Sequence, residues 1–150
     1  MVSIDRDPYA IEKAKPLVEK FGLRLKIVNG LFSNLEQILL DLNISKINGI
    51  TFDFGVSSPQ IDTPERGFSF RFDSLLDMRM GGNEFSAIDL LNNSEVSKIE
   101  KILREYGEEK KARQISRAIV AARPIEKTKQ LTSIIYSILG GPKRDKINPA

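Results

Sequence analysis

The sequence predicts an α/β fold in which a βαβαβ unit with a mostly parallel sheet precedes a mostly helical region. Three short apolar segments alternate, over residues 1–54, with two segments whose apolar residues recur every three or four positions. Beyond residue 58 only helical spacing remains. Strands that alternate with helices through short connections are typical of parallel sheets with right-handed crossovers. We therefore predict a Rossmann-like domain over residues 1–58 and a helical domain over residues 59–150.

The first half of the βαβαβ unit has clear boundaries. "VSIDRD" reads as a short strand, and Asp7 followed by Pro8 is a typical helix start, with a capping side chain before a proline at the first helical position. Pro16 predicts a kink or an early stop in this helix, and Gly22 marks its end. One apolar face is formed by Ile11, Ala14, Val18 and Phe21.

The second half repeats the pattern. "RLKIVNG" predicts a second strand, and Ser33 with Glu36 three residues later predicts a capping box at the start of a second helix. "ITFDF", residues 50–54, predicts the third strand. Asp5 and Asp53 thus stand at the carboxyl ends of strands, where ligands of parallel sheets bind. The alternative is that each aspartate only caps a turn or a helix.

The helical region contains several amphipathic segments. We predict a break near Asn92 and Ser94, and a last helix, "KTKQLTSIIYSIL", that ends at Gly140. Two apolar faces are expected, one with Ile99, Ile102, Leu103 and Tyr106, the other with Ile115, Ala118, Ile119 and Ala122. Opposite the second face lie Lys110, Arg113 and Arg117, which we call the basic ridge.

Composition excludes several kinds of chemistry. The chain has no Cys and no His, so disulfides, Cys/His zinc sites, thiol nucleophiles and His-based triads are excluded, and no metal is expected. No apolar run approaches the roughly 20 residues of a membrane span. The N-terminus does not resemble a secretory signal. We therefore expect a soluble, cytoplasmic protein that uses carboxylates, hydroxyls, amides, cations or a bound cofactor.

Charge is unevenly distributed along the chain. Residues 1–100 carry 11 Lys and Arg against 15 Asp and Glu, which gives −4, whereas residues 101–150 carry 12 against 5, which gives +7. A basic C-terminal part favours binding of a polyanion by that part alone. A solvated basic surface without a partner is the alternative.

The segment "TPERGFSFRFDSLLDMRM" is dense in aromatic and charged residues. Arg66, Phe68 and Phe70 are of the types that stack on and clamp nucleic-acid bases. The alternative is that the phenylalanines form a local core and that the arginines and aspartates support them as ion pairs.

Three stretches together resemble one family. "DFGVSSPQIDTPERGFSFRFDSLLDMRM", "REYGEEKKARQISRAIVAAR" and "KTKQL" are similar to the bacterial 16S ribosomal RNA small subunit methyltransferase H family, also called MraW, and the resemblance extends from "IDRDP" to "INPA". It implies a class I S-adenosylmethionine-dependent methyltransferase sheet with a helical, RNA-recognising insertion. The implied reaction methylates N4 of a cytidine in the small ribosomal subunit.

The resemblance also implies site residues. Asp5 of "IDRD" corresponds to a ligand of the cofactor ribose, Phe32 of "GLFS" to a cofactor-pocket residue, and Asp53 and Gln60 to further cofactor contacts. The RNA-binding candidates are Arg66, Phe68, Phe70 and the basic ridge. No residue is assigned as the proton acceptor.

Parts of the family pattern do not occur in this sequence. A first strand with a glycine loop is expected before Met1 and further sheet segments after "INPA", so we expect a partial sheet, marginal stability, and association or homodimerisation through its exposed edge. The main alternative function is an inactive rRNA-binding fragment. A dinucleotide-dependent oxidoreductase is disfavoured, because the block around "DFGVSSPQ" has no dinucleotide role.

Overall fold

The computed structural model describes residues 1–81 and 85–141, which divide into two compact units. The first unit is Met1–Gly55 with residues 80 and 81, and the second contains Val56–Arg79 and the chain from Phe85 onward. The domain boundary at residue 58 stays a prediction.

The first unit contains the predicted parallel pair of strands. Strand β1 (Val2–Asp5) lies beside β2 (Lys26–Asn29) in parallel register, with Asp5 opposite Asn29. The chain connects them through helix α1 (Pro8–Phe21) and a short 3-10 turn, and helix α2 (Leu35–Asp41) follows β2.

Helix α1 begins and ends where the sequence predicts. The Asp7 carboxylate accepts a hydrogen bond from the Tyr9 amide at 3.0 Å, as expected of a capping side chain. Gly22, with φ of 52°, follows the last residue of the helix. The early stop allowed for at Pro16 is wrong, since the helix continues through Pro16 to Phe21.

Helix α2 begins differently from the prediction. A 3-10 turn over Phe32–Asn34 precedes it, and Asn34 occupies the N-cap without a capping side-chain bond. Ser33 lies inside that turn, and its hydroxyl approaches the Asn34 side-chain oxygen at 3.5 Å. The capping box predicted for Ser33 and Glu36 is therefore wrong, because the chain enters the helix through a tighter turn.

The predicted third strand does not form. Residues 50–54 have no regular secondary structure, and the described part of the chain contains only the two-stranded sheet β1–β2. In the common doubly wound order 3-2-1-4, the fourth strand pairs with the first. If "VSID" corresponds to the second strand of this order, "ITFDF" corresponds to the fourth. Because the described residues contain no first strand, "ITFDF" has no strand to pair with.

The second unit is helical and holds the core. The predicted break is confirmed, since one helix ends at Asn93 and the next begins at Val96, and the last helix ends before Gly140. The described residues of this unit form the α-helices α3 (Ser58–Asp62), α4 (Ala87–Asn93), α5 (Val96–Glu105), α6 (Ala112–Ala121) and α7 (Thr128–Leu139). Their buried apolar cluster is Leu76, Leu91, Ile99, Ile115, Ile119 and Ile125.

Two distant stretches of the chain meet in this unit. The Leu76 amide donates to the Glu126 carbonyl at 2.8 Å, and the Thr128 amide donates to the Ser74 carbonyl at 2.9 Å. The buried Thr128 hydroxyl donates to the Phe72 carbonyl at 2.5 Å. Backbone hydrogen bonds therefore join "FDSLL" to "KTKQ", although about 50 residues separate the two segments in the sequence.

Tyr106 lies outside the apolar face on which its spacing places it. Tyr106 is 81% exposed, whereas Ile99 of α5 is 2% exposed. Helix α5 ends at Glu105, and Tyr106 is its C-cap. Since the periodic pattern continues one residue past the helix, spacing alone misassigns this ring.

No helix within residues 1–81 and 85–141 has the length and hydropathy that crossing a membrane requires.

Candidate functional site

The carboxyl ends of β1 and β2 form one polar edge. The Asp5 carbonyl accepts from the Gly30 amide at 3.0 Å and from the Asn29 side-chain amide at 3.1 Å. One Asp5 carboxylate oxygen, Oδ1, accepts from the Asp7 amide at 2.8 Å. Asp5 is exposed and lies at the edge of the sheet where ligands of parallel sheets bind.

An exposed aromatic group lies in the same unit. Phe32 packs edge-on against Phe52 and Phe54, with ring centroids 6.1 and 5.5 Å apart, and Phe52 stacks on Phe54 at 5.5 Å. Phe32 is 59% exposed and Phe54 70%. The structure thus brings Phe32 together with the two residues that flank Asp53. The sequence analysis does not predict this group of rings, although the alternation of Phe and Asp in "FDF" indicates that Phe52 and Phe54 lie on one side of the chain.

Gln60 belongs to the second unit and has a structural role there. Its side chain is buried, and its Oε1 atom accepts from the Ser57 amide at 2.9 Å, which caps α3. The Ser57 carbonyl in turn accepts from the amides of Gln60 and Ile61, at 3.0 and 3.2 Å. This cap fixes the backbone of "SSPQ".

Arg66 and Phe68 contact each other. The Arg66 guanidinium lies over the Phe68 ring, 5.8 Å from its centroid, and its Nη2 donates to the Arg79 carbonyl at 2.9 Å. Phe68 is half-buried and Phe70 is exposed. Of the three predicted RNA-binding residues in this segment, Arg66 and Phe68 support the loop, and Phe70 presents a ring to solvent.

The carboxylates near this loop are held in their charged form. Arg79 donates to both carboxylate oxygens of Asp77, at 2.6 and 2.8 Å, and lowers the pKa of Asp77 below its ordinary value. Hydrogen bonds from Ser86 lower the pKa of Asp89 in the same direction. Both aspartates are therefore structural anions at neutral pH.

The basic ridge is exposed along its length. Arg113 and Arg117 are exposed on α6, whose opposite face is buried. Lys110 is also exposed, but its predicted helical position is wrong, because α6 begins only at Ala112 and Lys110 lies in the turn before it. Within the described residues no carboxylate forms an ion pair with any of the three. Neighbouring cations on α5 are paired instead, Arg104 with Glu100 at 2.6 Å and Lys101 with Glu105 at 3.9 Å.

Arg123, unlike the basic ridge, is bound to backbone carbonyls of its own unit. Its guanidinium donates to the Leu91 carbonyl at 2.7 Å and to the Ser94 carbonyl, at the C-terminal end of α4. Cations in this position neutralise the negative end of a helix. Arg123 is thus a structural residue of the second unit.

Comparison with known proteins gives the family. The model of the MraW methylase family matches residues 1–150. The chain belongs to this family. Curated relatives named ribosomal RNA small subunit methyltransferase H include one from Zymomonas mobilis, 48% identical over 150 residues, and one from Caldicellulosiruptor saccharolyticus, 47% identical over 154 residues.

The chain spans about half the length of the MraW relatives it matches. The alignments cover the whole of this chain. They cover only 45% of the Zymomonas protein and 50% of the Caldicellulosiruptor protein. A relative from Rhodospirillum centenum, 45% identical over 152 residues, is covered to 46%. Among the described residues, no group of three or more acidic side chains is placed to hold a metal ion.

Proposed function

We propose that this member of the MraW family takes part in the S-adenosylmethionine-dependent methylation of N4 of a cytidine in 16S ribosomal RNA. The observation that carries the proposal is the family match over the whole chain, together with relatives named for the small ribosomal subunit. The first unit contributes part of the cofactor site, and the second contributes RNA contacts. The compartment is the cytoplasm.

The strand-end residues fit a nucleoside cofactor. Asp5 keeps one carboxylate oxygen on the Asp7 amide, which fixes the side chain, and its second oxygen is free to accept from a ribose hydroxyl. Phe32, with Phe52 and Phe54, offers an exposed aromatic surface to a planar base. Asp53 lies between Phe52 and Phe54 in the sequence, is exposed, and offers a further acceptor. The cofactor, when bound, supplies an electrophilic methyl group.

The chain's task is to position the amine and to accept its proton. The lone pair of cytosine N4 is delocalised into the ring, so a hydrogen bond from N4–H to an acceptor on the loop after Asp53 makes it more available. The Ser57 carbonyl is not that acceptor, because two α3 amides already use it. The proton of N4 passes to the acceptor and then to solvent. Gln60 holds this loop through its hydrogen bond from the Ser57 amide, and its contact with the cofactor stays part of the proposal.

The RNA side of the proposal rests on the basic ridge. Three exposed cations without carboxylate partners can bind the phosphates of a ribosomal RNA strand. The affinity of the chain for this RNA should then fall steeply as the salt concentration rises. Phe70 provides an exposed ring for a base. The open edge of the two-stranded sheet also favours association between copies of the chain.

A second candidate is RNA binding without catalysis by this chain. The buried apolar cluster and the basic ridge both belong to the second unit, whereas Leu25 and Asp7 are the buried residues among those described in the first. A unit with so small a core has little to hold its strand-end loops in one arrangement.

A methyl-transfer assay tests the proposal. Purified chain is incubated with S-adenosylmethionine labelled in the methyl group and with small ribosomal subunits that lack the modification, and the rRNA is digested to nucleosides. We expect label in N4-methylated cytidine, and less of it from the Asp5→Ala variant. Binding of the subunits without any incorporation would support the second candidate. The absence of both would contradict the two candidates together.

A further inference from the structure

Tyr106 is the most exposed of the three tyrosines, and its backbone is fixed. Its ring is 81% exposed, against 44% for Tyr9, and Tyr136 is half-buried. The Tyr106 amide donates to the Ile102 carbonyl at 3.0 Å, and the Glu109 amide donates to the Leu103 carbonyl at 3.0 Å. The turn between α5 and α6 is therefore ordered by hydrogen bonds while its aromatic side chain remains uncovered.

Gly107 makes this turn tight. A Cβ atom at residue 107 would lie 2.8 Å from the Leu103 carbonyl oxygen, so only glycine allows the chain to leave α5 at this point. The residue that precedes it is thus held at the surface. In the described residues no other aromatic ring and no cation lies over Tyr106, whereas Lys13 lies over Tyr9 at 5.4 Å.

The basic ridge begins four residues after this tyrosine. Lys110 is exposed in the turn before α6, and Arg113 and Arg117 follow one face of the helix. In the described part of the chain, none of the three charges has a carboxylate partner. An uncovered aromatic ring at the end of a row of free cations has the composition of a single-strand RNA surface, in which rings stack on bases and cations hold phosphates. The exposed Glu108 repels phosphate in the turn itself, which favours a base over a phosphate at Tyr106.

We propose that Tyr106 is a stacking residue for an unpaired nucleotide of the RNA whose phosphates bind the basic ridge. This inference rests on the proposed function and adds to it a nucleotide contact outside the methyl-transfer site. Stacking on a ring is tolerant of sequence, so the contact discriminates unpaired from paired RNA rather than one base from another.

The test uses fluorescence anisotropy with the full chain and a labelled oligouridine of about 10 nucleotides, a length in the range of single-strand binding sites. Tyr106→Ala is expected to weaken binding by about fivefold or more, and Tyr106→Phe to retain it within about twofold, because the ring is kept. Tyr9→Ala, an exposed tyrosine of the first unit, is the matched control and should bind as the wild type does. Circular dichroism verifies that each variant is folded.

Salt dependence separates this inference from the proposed function. Between about 50 and 200 mM salt, Arg113→Ala should lower the slope of log affinity by about one, while Tyr106→Ala leaves the slope unchanged. Wild-type binding that Arg113→Ala weakens and Tyr106→Ala does not would overturn the stacking role and leave the RNA-binding proposal standing. A wild-type chain that binds no oligonucleotide would overturn both.

Discussion

Gly67→Ala is expected to unfold the loop of residues 64–79 and to destabilise the second unit by about 3 kcal/mol or more. Gly67 has φ of 71°, in the left-handed region that disfavours side chains. A Cβ atom there would lie 2.3 Å from the Leu75 carbonyl oxygen and 2.7 Å from the Asp77 nitrogen. Both contacts are with backbone, which cannot move without breaking the Leu76 and Met78 hydrogen bonds.

Urea unfolding followed by circular dichroism measures this effect. Gly49→Ala is the matched control, since a Cβ atom at residue 49 meets nothing within 4 Å and its φ is not in the left-handed region. It should change the free energy of unfolding by less than about 0.5 kcal/mol. Equal stability of the two variants would mean that the loop does not pack as described.

Asn92→Ala is expected to cost the second unit about 2 to 4 kcal/mol. The Asn92 side chain accepts from the Ile125 amide at 2.8 Å and donates to the Ile125 carbonyl at 2.7 Å. Because Ile125 is 1% exposed, the substitution leaves a buried amide and a buried carbonyl without partners.

The neighbouring Asn93 provides the control for this variant. It is exposed on the same helix, α4, and has the same helix propensity, so Asn93→Ala removes an equal side chain without breaking a buried contact. The free energy of unfolding of both variants is obtained from urea titration. A loss for Asn92→Ala no greater than for Asn93→Ala would contradict the role assigned to this side chain.

Local signals predicted the elements that depend on local chemistry. The cap at Asp7, the stop at Gly22 and the break after Asn93 are decided by a few neighbouring residues, and each is confirmed. The parallel pairing of β1 and β2 followed from the strand–helix–strand pattern and is also confirmed. The "ITFDF" strand depends instead on a partner strand, and no local property of these residues supplies one.

The candidate site was predictable in part for the same reason. The position of Asp5 follows from a strand end, and the exposure of Arg113 and Arg117 follows from helical spacing, both of which can be read from the sequence, while the roles of these residues stay predictions. Helical spacing misplaced Lys110, which lies in the turn before α6. Tyr106 was misplaced because its spacing continues the apolar face one residue past the end of α5. The capping role of Gln60 could be predicted only if the start of α3 were known. A helix of five residues is too short for its apolar periodicity to be detected in the sequence.

Titration calorimetry with S-adenosylmethionine tests whether the strand-end residues of the first unit bind the cofactor, as we propose. We expect a dissociation constant on the order of micromolar, at least about tenfold weaker binding by Asp5→Ala, and unchanged binding by Asp41→Ala, an exposed aspartate of the same unit. Asp5→Asn, which keeps an oxygen acceptor for the Asp7 amide, separates loss of the ligand contact from loss of the turn. No heat from a folded wild-type sample, or equal affinities of wild type and Asp5→Ala, would show that Asp5 does not bind the cofactor in this chain.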